Sequence, residues 1–295
     1  MIYIESRKRK LEKIKEEYPD AVILDITSNS ETRYAKILSP FYPHGNIPIP
    51  FTDGLKATCV EAVWQGLKVF EGVGVDFATF KNDTMRDLKR TVRKYGVPKG
   101  HSKGAYSKEL LGYFEARMLI YLPTYKWVLD NVPEVHHVVE RIKEQSKIQD
   151  IVLLDYNTNI DFRDISKPMS HAGLVKLYIE GKYPDNMDNY KPMNKEEIEE
   201  KKIREKEFKK ELKKKAKEKR KEQTLNSTCK CNRILINNLF KFFVWREVSK
   251  SFTRSIIEFI FNPLNLFVGY FTKVLTLWDI LPDKPVGVFI GTTFP

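Results

Sequence analysis

Three side chains in the stretch Thr58-Cys-Val-Glu-Ala-Val-Trp-Gln-Gly-Leu-Lys68 could act together on one small ligand: Glu61, Gln65 and Lys68. At about 100° per residue on a helix they share one narrow face. Val60, Val63, Leu67 and Phe70 fall on the opposite side, with Trp64 at the border of the polar stripe. A carboxylate there could activate water or stabilise a cationic transition state. The ammonium and the amide could bind a phosphate or a base edge. The plain alternative is an amphipathic helix with a solvated polar face. Against it, solvent faces rarely use Trp, and Gly66 inside a helix costs about 1 kcal/mol relative to Ala. A glycine suits a point where something approaches the backbone closely.

Other residues could join this group. Tyr42, Trp64 and Trp127 could stack on a base. Asp155 ends the apolar run Ile151-Val-Leu-Leu-Asp and is a second candidate acid or base, because ligands gather at strand ends in open α/β sheets. Its alternative is an Asx turn leading into Asn157-Thr158-Asn159. Of the histidines, His136 and His137 would point to different faces of a helix and make a poor ligand pair. His44 and His101 sit on loops and could enter the site or stabilise turns. Gly100-His-Ser-Lys-Gly104 could cradle a phosphate through backbone N–H groups, though without P-loop spacing. Arg86, Lys89, Arg90, Arg93 and Lys94 recur at helical spacing and form a basic face, either solvated or facing a polyanion.

Metal chemistry has little support. No H-E-x-x-H motif appears, and Cys59, Cys229 and Cys231 are too few for a disulfide scaffold or a four-ligand zinc site. The C-x-C pair could bind metal across a dimer, but an ordinary reduced pair is the simpler reading. No metal and no cofactor is expected.

The elements that must position these residues follow from pattern. With 42% hydrophobic and 12% aromatic residues, the chain has the means to bury a core. Residues 7–18 are helix formers ended by Pro19, and residues 21–26 read as a buried strand. Pro40, Pro43, Pro48 and Pro50 make residues 39–54 an ordered loop or extended segment. Helices are expected over 57–70, 84–94, 108–121 (stopped by Pro123), 134–145 and 170–180, with a strand over 151–156. Strands alternating with helices predict α/β or α+β architecture, a helix-rich single domain around a small sheet.

Beyond residue 181 the character changes. Residues 182–233 read as a charged Lys/Glu-rich linker, partly helical. Its 195–222 stretch carries 14 bases and 9 acids, so part of the chain's net charge of +12 resides there. Ile198, Ile203, Phe208 and Leu212 are too few apolar residues for a core. The Lys213–Lys221 run could serve as a nucleic-acid arm. Residues 234–295 form an apolar segment of unknown role. Between Glu258 and Lys273 lie 14 uncharged residues broken by Asn262, Pro263 and Asn265, short of the roughly 20 needed to span a bilayer. Membrane docking is therefore a minor alternative. The N-terminus shows no basic region followed by an apolar one, so a cytosolic location is expected.

The strings LSPFYPHGNIPIP, CVEAVWQGLKVFE, KRTVRKYGVPKGH, EARMLIYLPTYKWVLDN and IVLLDYNTN resemble an uncharacterised family of bacterial and phage proteins, over roughly residues 1–181. That family is distantly similar to the NADAR and YbiA-like N-glycosidases. In the resemblance, Phe41, Tyr42 and Pro43 match the opening loop and Glu61, Gln65 and Lys68 the helix that lines the site. Trp127 matches the later Trp, and Leu153-Leu154 the late strand. Pro40 and Cys59 depart from it, standing where the pattern has Asn and Ser. The resemblance implies hydrolysis of an N-glycosidic bond on a ribosyl-phosphate or ADP-ribosyl substrate. In that reading Glu61 and Asp155 are catalytic, and Phe41, Tyr42, His44, Trp64, Gln65, Lys68 and Trp127 bind substrate. The competing expectation is a non-catalytic nucleotide- or nucleic-acid-binding module.

Overall fold

The computed structural model describes residues 1–184 and 190–221. The expected apolar segment 234–295 and the C-x-C pair lie outside the described residues. The fold is a mixed α/β arrangement of helices around small sheets. Its centre is a parallel three-stranded sheet in which Ile151–Asp155 lies between Ile2–Ser6 and Val22–Asp25. The middle strand is buried along its whole length. This explains its unbroken apolar run, since a parallel strand covered on both faces has no solvent side to mark. Ile151 and Leu153 enter the main core. Val152 and Leu154 pack on the other face against Ile14 of the helix Leu11–Glu17 and Tyr18 just after it. Leu24 of the Val22–Asp25 strand is in register with Leu153, and all residues of that strand are only partly buried, as befits an edge. The opposite edge, Ile2–Ser6, had no sequence expectation.

The helix expected over 57–70 is shorter, Val60–Gly66. Cys59 caps it, its Sγ accepting the Ala62 N–H at 3.2 Å, and burial pushes the thiol pKa up to about 11. Lys56–Ala57 and Lys68–Val69 are short strands on either side. Lys68 therefore lies on a strand paired with His101 rather than on the helix. The close approach at Gly66 comes from protein: a Cβ there would run into the Phe80 ring. Gly66→Ala should accordingly destabilise by about 1–3 kcal/mol through overpacking, outweighing the helix-propensity gain. A urea melt with an unchanged or raised midpoint would contradict this.

Two further expectations are corrected. The helix over 84–94 shrinks to Val92–Tyr95. The Asn82 side chain takes the local hydrogen bonds instead, donating to the Arg86 carbonyl and accepting from Thr84 N. Met85 and Asp87 sit in the left-handed region, at φ 60° and 55°. No helical basic face exists there. The helix expected over 108–121 begins only at Tyr113, because Leu110–Leu111 pairs with the Gly100–Ser102 strand. It does not stop at Pro123. It passes through a π turn, Arg117–Tyr121, into Leu122–Asn131. Pro123, which has no N–H to donate to the preceding turn, directly follows that π turn, where the helical ladder is already displaced.

Among the other helices are Pro133–Ile148 and His171–Ile179, the latter capped by Ser170, and the single turns Arg33–Lys36 and Phe77–Phe80. Residues 195–221 form one helix, and the first compact unit runs through Ala216, past the boundary expected at residue 181. No described helix is long and apolar enough to cross a membrane.

Candidate functional site

A cavity of about 390 Å³ opens beside the carboxyl end of the central strand. Glu61, Gln65 and Lys68 line it together, with Phe41, Trp64 and Asp155. The three polar groups form a relay. Lys68 Nζ donates to Gln65 Oε1 at 2.9 Å, and Gln65 Nε2 donates to Glu61 Oε1 at 2.8 Å. Arg90 N also donates to Gln65 Oε1, at 3.1 Å, so the amide oxygen is taken and its nitrogen must face the carboxyl. Glu61 Oε2 accepts no hydrogen bond from the described residues.

Burial raises the Glu61 pKa above the ordinary carboxylate value, and Gln65, Lys89, Lys68 and His171 oppose it. Burial lowers that of Lys68, helped by Arg90 and Lys89 and resisted by Glu61. Each shift moves its group toward neutral pH, where proton transfer is most useful. Lys89 also lines the cavity and lies 5.3 Å above the Phe41 ring. Arg90, expected on a basic face, is buried and donates to the carbonyls of Gln65, Lys68 and Gly74. It ties the turn after the site helix in place.

Asp155 reaches the cavity wall but its oxygens are already engaged. Oδ2 accepts from Ser170 Oγ at 2.6 Å and Ala172 N at 3.4 Å and lies 3.0 Å from His171 Nδ1, and Oδ1 accepts from Tyr156 N. His171 Nε2 lies 2.9 Å from the Ile26 carbonyl. A carbonyl can only accept, so Nε2 carries a proton, and the carboxylate beside Nδ1 favours the protonated ring. Burial would raise the Asp155 pKa, yet His171 and the donors around it bring it below the ordinary value. Burial would lower that of His171, yet Asp155 and the Ile26 carbonyl bring it above. The pair is a charge anchor joining the strand end, the Ile26 turn and the helix at His171. This arrangement does not suit Asp155 to acid–base work.

The aromatic wall centres on Trp64. His101 stacks on it at 3.8 Å, and Tyr121 and Tyr113 meet it edge-on at 5.5 and 5.9 Å. Burial, reinforced by Lys68, lowers the His101 pKa to about 3, so this ring is neutral. The Gly100–Gly104 segment is not a phosphate cradle. The N–H groups of Ser102, Lys103 and Gly104 donate to the Leu67, Glu109 and Ser102 carbonyls, and Ala105 N donates to Thr52.

Three expected binding residues lie outside the cavity lining. Tyr42 packs against His44 at 4.9 Å, and His44 bonds the Ile37 carbonyl at 2.9 Å. Trp127 packs against the main core from the helix Leu122–Asn131. Sequence reasoning passed over Tyr113, Arg117 and Tyr121, which share the lining at intervals of four residues. That spacing was a readable signal in an otherwise apolar helix. His171 was missed because its partner comes from a strand 16 positions earlier. No group of three or more His, Cys, Asp or Glu side chains suited to a metal gathers among the described residues.

Among known proteins, residues 6–175 match the model of a family described as "Family of unknown function (DUF6939)". No curated protein and no solved structure matches.

Proposed function

Because the chain belongs to the family of unknown function DUF6939, we propose a function from the cavity itself: hydrolysis of the N-glycosidic bond of a ribosyl-phosphate or ADP-ribosyl substrate, in the cytoplasm. One observation carries it: a buried carboxyl with a free oxygen, set between two lysines and an aromatic wall. A distant relation to the NADAR and YbiA-like domains is part of the same proposal.

In this mechanism the C1′–N bond breaks and its electron pair leaves with the base nitrogen. The Glu61 carboxylate stabilises the oxocarbenium-like state and takes a proton from the water whose oxygen bonds to C1′. That proton then passes to the departing base, or to solvent where the base leaves neutral as from NAD, so the products are the phosphate-bearing sugar with a hydroxyl at C1′ and the free base. Lys68 and Lys89 balance phosphate charge, and Trp64 and Phe41 offer ring faces to the base. Asp155 takes no proton, which leaves a single-carboxylate scheme.

The test is to incubate the full chain with N-ribosyl phosphates, NAD and ADP-ribosylated nucleic acid, and to follow base release by chromatography. Release from at least one class supports the reading. Salt-sensitive binding with no release from any of them overturns it in favour of a non-catalytic nucleotide- or nucleic-acid-binding module. One observation favours that second reading: Arg86, Arg93 and Lys94, on the segment that carries Lys89, are exposed and enter no ion pair among the described residues.

The pH profile gives a separate check. Glu61 works ionised, so the acid limb of kcat/KM should lie above the usual glutamate value. Lys89 lowers the Glu61 pKa. Removing that cation in Lys89→Met should therefore shift the limb toward higher pH. A limb that stays in place, or moves to lower pH, means another group titrates.

A further inference from the structure

Residues 156–169, between the central strand and the helix at His171, form one wall of the cavity through Tyr156, Asn157, Pro168 and Met169. The segment contains no helix or strand; side-chain turns at Asn159, Asp161 and Asp164 shape it locally. Two cations tie it to other elements. Arg117, buried in the π turn, donates to the carbonyls of Phe162, Asp164 and Lys167. Lys201, on the Lys/Glu-rich helix, donates to Asn159 Oδ1 at 2.7 Å and Asp164 Oδ2 at 2.8 Å.

The second clamp is built into the helix. Asn194 and Glu197 cap it reciprocally, each accepting the other's backbone N–H at 2.8 and 2.9 Å. Arg163 reaches from the wall to Glu197 at 2.9 Å and to the Lys191 carbonyl at 2.8 Å. Farther along, Leu212 packs beside Ile14 and Tyr18, and Lys213 lies 3.7 Å from Glu17. The helix is thus fastened at two places on the same unit, with Ile203 and Phe208 exposed between them. Asp164 is 1% exposed, and Lys201 is the cation that meets its carboxylate.

We infer that this helix is a strap rather than a linker, and that Lys201 is a positioning residue that keeps the cavity wall 156–169 ordered by binding Asp164 and Asn159. Its consequence for binding rests on the hydrolase reading. Its effect on the wall does not.

The test uses the full chain with Lys201→Met and Lys201→Arg, read by hydrogen–deuterium exchange. Lys201→Met should speed exchange in residues 157–168 by about tenfold or more, while amides of the Ile151–Asp155 strand keep their protection. Lys201→Arg, which restores a cation, should stay close to wild type. Unchanged exchange in 157–168 overturns the strap, and so does a rise of equal size in the strand, which would mark general destabilisation. On a substrate that the wild type hydrolyses, the Met variant should raise KM more than it lowers kcat. Both constants unchanged despite a loosened wall would remove the link to the cavity. Failure of every substrate would sink the hydrolase reading and leave the exchange result standing.

Discussion

Glu61→Gln is expected to lower kcat by about 10²–10⁴-fold, the usual worth of a positioned acid–base group. The substitution keeps shape and volume, and the new amide oxygen can still accept from Gln65 Nε2, as Glu61 Oε1 does at 2.8 Å. What disappears is the negative charge and the ability to take a proton from water. Binding should survive, because Lys68, Lys89 and the aromatic wall are untouched, so the loss belongs in kcat with KM little changed. Single-turnover base release checks this, with near-ultraviolet circular dichroism confirming the fold. A Gln variant that turns over at the wild-type rate would remove Glu61 from the chemistry.

The second large effect concerns stability. Replacing His171 with Leu leaves the Asp155 carboxylate buried without its counter-ion. Breaking a buried pair from one side costs roughly 3–5 kcal/mol. Asp155→Asn should do similar harm by stranding the imidazolium. The pH dependence has two signs. His171 has a raised folded pKa, so its contribution is complete below its unfolded value of 6.5 and fades as pH climbs through the higher folded value. Asp155 has a lowered folded pKa, so its contribution is complete above its unfolded value of 3.8 and fades as pH drops through the lower folded value. Wild type should therefore lose stability at both extremes, and the Leu variant should show a flatter curve from a lower maximum. Urea midpoints measured across pH decide it. Equal midpoints for the two proteins near pH 5.5, where the pair is fully ionised by these shifts, would show that the anchor contributes nothing.

How much of this was legible depended on the distance over which each feature is encoded. The central strand was plain, because burial on both faces writes an unbroken apolar run at Ile151–Leu154. The joint placement of Glu61 and Gln65 followed from helical phase. Lys68 reached the same cavity by another route, on a strand, because the helix ends at Gly66 under the Phe80 ring. Short-range competition defeated the helix expected over 84–94, where one Asn side chain captures the backbone. Long-range bonds hid the rest. Arg90 looks like surface charge until three distant carbonyls receive it. The Lys/Glu-rich stretch looks like a tether until Lys201 finds Asp164. In both cases a charged side chain is drawn out of solvent by partners that periodicity cannot see.

The cysteine that starts the site helix has a practical consequence. Alkylating reagents attack the thiolate, and a buried thiol with its pKa near 11 offers almost none at neutral pH. Modification of Cys59 in the native protein must then wait for that first turn to unwind. A peptide-resolved count of its tagging over time makes the residue a built-in clock for breathing of the segment that carries Glu61.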